Sequence, residues 1–387
     1  MGSDVRDVDR LAHPSLRDVP PGPALPRPRD RHHRSEVARP CDRCLPIAAR
    51  VSQMATQKDI ARLAGVSVST VSAVINGTTH TRMSADTRAR VEAAIAELAY
   101  VPNDAARALR RRHAGTIAVV VENLENPVYK ELLEGIYEAA EERGWAIMLG
   151  DTMWMNSGSH FLARLLGQGS VDAIVLRTGE LLDEEVMGAL RSHPTPVVLV
   201  EYQSSHNGAW VSADETAAGR MATEHLIEAG HTNIAFVGGQ EIHPVNPRHA
   251  GYVSALTRAR LVPRPPLFTG YGAQAGAAGL ATLESGLGMP TAVVVNNVVS
   301  ALGLLAAAVD AGIEVPRELS VVGIHDAEIA ELVRPRLTTV HLPMRELGIR
   351  AVKHVSALLS GEAPQGGVIS EPPPYVIPRE SVQPPIR

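Results

Sequence analysis

Phenylalanine, tryptophan and tyrosine make up only 3% of the 387 residues, too few for an aromatic platform that stacks single-stranded bases. Cysteine is scarcer still. Cys41 and Cys44 form a lone C-x-x-C pair with no second pair or histidine at metal spacing, so neither a zinc site nor a disulfide framework is expected. No run approaches the roughly 18 uninterrupted apolar residues of a membrane span, and the opening MGSDVRDVDR lacks the apolar core of a signal peptide. The chain therefore reads as cytoplasmic, with no membrane partner. It also lacks a G-x-G-x-x-G after a strand, a G-x-x-x-x-G-K-[ST] loop, a G-x-S-x-G elbow and a paired-histidine metal motif. No catalytic residue, cofactor or metal is expected.

Positive charge is short in total but unevenly spread. The formal net charge is -5 with a pI near 6.3, which by itself argues against a nucleic-acid partner. Divided along the chain the picture changes. Residues 1–53 hold 10 arginines against seven acids, residues 54–113 hold nine basic residues against five, and residues 114–387 hold 18 against 30. A small basic unit precedes a large acidic body.

Residues 1–53 contain eight prolines and show neither helical nor strand periodicity, so they read as a disordered extension. Two readings of it stay open: translation starting at Met54, or an arginine-rich arm that touches phosphates. From Thr56 the pattern becomes helical. Thr56 and Asp59 form a capping-box pair, Ile60, Leu63 and Ala64 repeat at helical spacing, and Gly65 stops the helix. Ser67 caps a second helix with Val71, Val74 and Ile75 inward, closed by Asn76-Gly77; Ser84 caps a third with Val91, Ala94, Ile95 and Leu98 inward. Three short helices with a tight turn between the first two make a helix-turn-helix unit over 54–101. A small helical interaction domain is the bland alternative.

Beyond Gly115, apolar runs at 117–121, 146–149, 173–176, 197–200, 234–237, 292–295 and 319–324 alternate with helical segments such as 129–143, 216–229 and 298–311. This predicts an α/β body of parallel sheets, and seven or more strands over some 270 residues predict two lobes rather than one. The boundaries are set at 102–114 for a hinge helix and linker and 115–387 for the body. The first lobe covers about 115–212 plus part of 341–387, and the second about 213–340.

In a helix-turn-helix the second helix enters the major groove. Val68, Ser69 and Ala73 are the candidate base readers, and Thr56, Ser67, Thr70, Ser72 and Asn76 the candidate phosphate ligands. The following segment, YVPNDAARALR over 100–110, resembles the hinge helix of the LacI/GalR family of bacterial repressors. With DIARLAGVSVSTVSAVING, NPVYKELLEGIYEAA, DETAAGRMATEHLIEAGH, VVGIHD and RPRLTTV, the resemblance runs from about Thr56 to the C-terminus.

That resemblance implies a homodimer of sugar-binding-protein-like cores whose headpieces read double-stranded, pseudo-palindromic operator DNA. It implies a nucleoid-associated regulator, in the manner of a repressor, controlled by a small sugar-like effector between the lobes. Asn103 would cap a hinge helix too short to persist alone, Leu109 would wedge into a minor-groove step, and Arg107 would supply phosphate charge. Ala73 stands where relatives often carry a longer polar side chain; it can pack on a thymine methyl but cannot make a bidentate bond to guanine.

For the effector, the resemblance carries over Asn126, Val128, Tyr129, Arg248, Tyr271, Asn296 and His325. Arg248 offers a fork of donors and Tyr271 an apolar wall. Simple packing is the alternative for Val128, Tyr129 and Tyr271, and a surface or strand-end polar role for Arg248 and Asn296. His325 replaces a common aspartate. It leaves two expectations: a neutral or cationic group beside Arg248 that favours an anionic or modified sugar, or a neutral imidazole that accepts one hydroxyl and nothing more. A solute-binding protein of a sugar transport system and a sugar-processing enzyme are the competing functions. The ending SVQPPIR carries no leucine heptad, which favours a dimer over a tetramer.

Overall fold

The computed structural model describes residues 55–75, 83–101, 113–167, 169–177, 182–201, 209–241 and 246–386. The expected extension, Asn76, and the hinge residues Asn103, Arg107 and Leu109 lie outside them. Contacts divide the chain into two units that meet between Pro102 and Asn103.

The first unit holds α1 (Gln57–Ala64), α2 (Val68–Ile75) and α3 (Ala85–Glu97). Thr56 caps α1 in a full capping box with Asp59, and Gly65 ends it in the left-handed conformation at φ 64°. Ser84 caps α3 by accepting from the Thr87 amide at 3.1 Å. Ile60, Ala61, Ala64, Val71, Val74, Val91 and Ala94 make one small core, with Val66, Ile75, Met83, Ile95, Leu98 and Tyr100 around it.

The second unit opens with β1 (Thr116–Val121), α4 (Tyr129–Glu141), β2 (Ala146–Asp151), α5 (His160–Leu165), β3 (Ala173–Arg177), α6 (Glu184–Ser192), β4 (Val197–Val200) and β5 (Ala209–Ala213). Next come α7 (Glu215–Glu228), β6 (Ile234–Val237), α8 (Pro247–Arg258), α9 (Ala273–Thr282), β7 (Ala292–Val295), α10 (Val298–Asp310) and β8 (Ser320–Ile324). It ends with α11 (Ile329–Leu332), β9 (Thr338–His341), α12 (Met344–Leu359), β10 (Gly367–Ile369) and β11 (Tyr375–Ile377).

The strands form two sheets, ordered β10-β5-β4-β3-β1-β2 and β11-β9-β8-β7-β6. The strands of both sheets pair in parallel, as expected, except β11 against β9. After β10 joins the first sheet, the chain returns to the edge of the second, where β11 pairs with β9. Leu267 adds an isolated parallel bridge to Val237 outside β6, so both sheets approach one doubly wound order. In such sheets the carboxyl ends flank a crevice at the point where the strand order reverses. Strands β1, β3, β6, β7 and β8 carry nearly continuous buried apolar residues, the pattern of sheets covered on both faces.

Candidate functional site

In the first unit, α2 begins at Val68 and presents a small, uncharged surface. Val68 and Ser69 are exposed, Ala73 and Ser72 half-buried, and Val71 and Val74 face the core. Ser67 Oγ lies 2.7 Å from Ser69 Oγ and 2.8 Å from Thr70 Oγ1, and accepts from the Thr70 amide at 3.2 Å. The first turn of α2 is thus a hydroxyl cluster at a helix N-terminus, where amides and hydroxyls can hold phosphate oxygens. Thr56 has its hydroxyl committed to Asp59 Oδ2 at 2.6 Å, so its first role is to fix α1.

In the second unit the chemistry gathers where strands of the two sheets end. Arg177 is the last residue of β3 and Glu201 follows β4; Asn296 follows β7 and His325 follows β8. Glu201 and His325 both hold positive φ, 55° and 66°. For non-glycine residues this is uncommon and strained, the kind of backbone that concentrates at binding sites.

Arg248 is placed by the start of α8. Asn246 accepts from the Arg248 and His249 amides at 3.1 and 3.2 Å, and Pro247 occupies the first helical position. Gly219 and Gly251 then let α7 and α8 cross closely: a Cβ on Gly219 would collide with the Arg248 carbonyl, and one on Gly251 with the Thr216 carbonyl. That approach brings Arg248 onto Glu215 at the start of α7. Its Nε donates to Glu215 Oε2 and its Nη2 to Oε1 at 3.0 Å, while Nη1 donates to the Asn296 carbonyl.

Arg248 Nη2 also lies 2.6 Å from His325 Nε2. A guanidinium has no acceptor, so Nε2 must accept and the proton of the neutral ring sits on Nδ1. Burial pushes this imidazole down to about 3, and Arg248 adds to the shift. The buried imidazole is therefore neutral near pH 7.

Glu201 crosses from the first lobe to this cluster. Its Oε2 accepts from Arg177 Nε at 2.7 Å, and its Oε1 lies 3.4 Å from His325 Nε2 and 3.9 Å from Arg248 Nη2. Burial opposes ionisation of Glu201, but Arg177 first and then its other basic neighbours outweigh it and hold the carboxyl at about 2. Arg177 also reaches Glu122 Oε2 at 3.4 Å and sits 5.3 Å above the Tyr129 ring. Burial pushes the Tyr129 phenol up. Glu215 is raised above the usual carboxylate range by burial first, with Glu201 adding to the shift and Arg248 opposing it.

Four buried polar atoms in this cluster have no partner: Tyr129 Oη, Glu201 Oε1, Asn296 Oδ1 and His325 Nδ1. Buried polar atoms are usually paired, so these four are the cluster's candidate contacts for a ligand. Glu201, Glu215 and His325 offer ligand atoms within 4.8 Å of one another. The Arg248 guanidinium already contacts all three residues, and its charge repels a cation, so the group is an ion-pair cluster.

The remaining expected residues have mixed positions. Asn126 Oδ1 accepts from the Val128 amide at 3.2 Å and turns the chain into α4. Val128 is packed in the core, which is the packing alternative for that residue. Tyr271 is half-buried, its carbonyl held by Asn297 Nδ2 and Ser300 Oγ, each at 2.8 Å. Sequence reasoning missed Arg177, Glu201, Glu215 and Glu122. The rule that ligands meet the carboxyl ends of strands would have flagged Arg177 and Glu201, whereas Glu215 had no signal beyond its place after a helix cap.

A basic helix-turn-helix unit joined to a two-lobed α/β body, with a buried polar cluster at the strand ends, fits the class of DNA-binding transcription regulators. Residues 56–103 match the model for bacterial regulatory proteins of the lacI family, and residues 223–382 match a periplasmic binding protein-like domain. The chain is 33% identical over 322 residues to catabolite control protein A of Priestia megaterium, covering 81% of this chain and 95% of that protein. It is 36% identical over 308 residues to the ribose operon repressor of Escherichia coli K12, covering 77% and 91%. The lac repressor dimer bound to operator and the anti-inducer ONPF superposes with a TM-score of 0.72 at 26% identity, covering 86% of this chain and all of that one. The chain belongs to the lacI family of bacterial regulatory proteins, and it is a DNA-binding transcription regulator. Among the described residues no helix is long and apolar enough to cross a membrane.

Proposed function

We propose that this regulator binds a pseudo-palindromic operator as a homodimer, reading bases through Val68, Ser69 and Ala73 and holding phosphates through Ser67, Thr70, Ser72 and the N-terminus of α2. Thr56, Asn76, Asn103, Arg107 and Leu109 complete the DNA contacts, and the protein works in the cytoplasm at the nucleoid. A small polyhydroxylated effector binds in the cleft against Arg248, Asn296, His325, Tyr129 and Tyr271, with Asn126 and Val128 shaping the wall. It shifts operator affinity by favouring one arrangement of the lobes.

The observation that carries this reading is the set of four unpartnered buried polar atoms at the strand ends of both lobes. Hydroxyls, which both donate and accept, are suited to such a mixture. The lac repressor complex is consistent with a dimer on operator DNA. The test is a thermal-shift screen of the full chain over neutral sugars, followed by fluorescence anisotropy on DNA from upstream of its own gene, with and without each hit. A hit that leaves operator affinity unchanged at saturation refutes the effector role.

A further inference from the structure

We propose that the effector is an oligosaccharide of at least two rings, with one ring at the buried cluster of Arg248, Asn296 and His325 and the next in an open cavity of the first lobe against Trp154 and Phe161. This rests on the reading of the cluster as the effector site.

The cavity lies past the ends of β1 and β2 and encloses about 1140 Å³, above the roughly 300–1,000 Å³ of ordinary small-ligand sites. It adjoins the cluster through one residue. Glu122 lines the cavity and accepts from Arg177 Nη1 at 3.4 Å, and Arg177 in turn holds Glu201. The first sheet sets this order, because β4, β3, β1 and β2 are successive parallel neighbours. Their carboxyl ends carry Glu201, Arg177, Glu122 and Asp151 in a row. That row spans three strand spacings, about 14 Å, more than a single sugar ring covers.

The walls are fixed before any ligand arrives. Asp151 accepts from the Leu124 amide at 3.0 Å and the Met153 amide at 2.9 Å, tying the loop after β1 to the turn after β2. Met155 is anchored in the core of the first lobe, so the single turn Thr152–Trp154 is held at both ends. On that turn Trp154 stands 66% exposed, and an exposed large apolar side chain in a cavity wall calls for an occupant. Phe161 lines the same cavity, and Gly150 makes room for it: a Cβ there would collide with the ring. Indole and phenyl faces cover the C–H face of a sugar ring. Around them Glu125 and Asn156 also line the cavity and supply acceptors for its hydroxyls. An aromatic wall with a polar rim suits a second sugar ring better than a purely apolar ligand, which would strip water from the rim and return no hydrogen bonds.

Isothermal titration of the full chain at pH 7 with matched neutral sets tests this: glucose with cellobiose and cellotriose, glucose with maltose and maltotriose, and xylose with xylobiose. Within the set that binds, the disaccharide should bind at least tenfold more tightly than its monosaccharide. Trp154→Ala should cut that ratio to threefold or less, and Trp154→Phe should keep most of it. A monosaccharide that binds as tightly as every longer member overturns the proposal, and leaves the effector reading intact if it changes operator affinity. An unchanged ratio in Trp154→Ala also overturns it. Disaccharide binding through Trp154 that leaves operator affinity unchanged sustains the two-ring site and refutes the effector role instead. Silence of every sugar overturns both. Sedimentation of the same variant separates a further case: if Trp154→Ala changes the oligomeric state of the chain, Trp154 is a contact between copies and the proposal falls.

Discussion

Replacing Arg248 with methionine isolates the energetics of the cleft. The side chain is 10% exposed and bonds Glu215, the Asn296 carbonyl and His325 at once. Methionine fills much of its volume but leaves the Glu215 carboxyl buried with no guanidinium. Breaking a buried pair from one side costs about 3–5 kcal/mol, whereas replacing both partners with apolar residues of similar volume is often nearly neutral. Arg248→Met should therefore lose about 3–5 kcal/mol, and Arg248→Met with Glu215→Leu should regain at least half of it.

The readout is urea unfolding followed by tryptophan emission, which reports the body alone because Trp145, Trp154 and Trp210 are the only tryptophans. The pH dependence supplies a second check. Without Arg248 the folded-state pKa of Glu215 rises further above its unfolded value, so the folded variant takes up a proton as pH falls. Its stability gap to the parent should narrow between pH 8 and 5. A single variant that loses less than about 1 kcal/mol, or a double variant no better than the single one, would refute the view that Glu215 depends on Arg248.

His325, held at about 3 against about 6.5 when unfolded, contributes stability that is complete above about pH 6.5 and is lost on acidification. Between pH 7.5 and 5 this amounts to about 2 kcal/mol; His325→Asn, which tolerates positive φ, should remove that much of the slope in urea titrations, and an unchanged slope would place the imidazole in water. Gly219→Ala should cost about 1–3 kcal/mol by forcing α7 off α8, whereas Gly188→Ala, with nothing within 4 Å of the new Cβ, should add about 0.5–1 kcal/mol; equal effects would dismiss the close-crossing argument. Ala73→Arg should draw guanine into the selected site, with about 1–3 kcal/mol of discrimination at that base pair, and binding-site selection that returns the parent sequence would remove Ala73 from base reading.

Local signals account for most of what the sequence disclosed. Capping by Thr56, Ser67 and Ser84, the stop at Gly65 and the apolar runs at 197–200, 234–237 and 292–295 are encoded within a few residues, and each appears at its expected place. The return strand β11 was illegible because Tyr375–Ile377 carries no distinctive periodicity and is fixed by pairing with β9. In the cleft, Arg248, Asn296 and His325 could be named beforehand, but their electrostatic state could not. Arg248 meets Glu215 across 33 residues and His325 across 77, and the crossing at Gly219 and Gly251 that permits it involves two helices. Pairing at that range is a property of the packed lobes, so the apparent free fork of Arg248 became visible as an occupied one only in three dimensions.

Occupation of that fork bears on how a ligand could move the lobes. Glu201 follows a strand of the first sheet, while Arg248 belongs to the second lobe, so their approach at 3.9 Å is an attraction between lobes that exists before any ligand arrives. A ligand that takes Glu201 Oε1 competes with part of this attraction and must replace it with contacts of its own to both lobes. Only the difference between what it gains in each arrangement can change operator affinity, since equal binding to both shifts nothing. Couplings of about 1–3 kcal/mol are typical of allosteric proteins, the scale of one or two charge-assisted hydrogen bonds. The Glu201–Arg248 contact lies between the lobes, whereas the Arg248–Glu215 pair lies within one lobe. Glu201 is therefore the side chain through which ligand chemistry can be converted into lobe geometry, while Glu215 holds Arg248 in place within its own lobe.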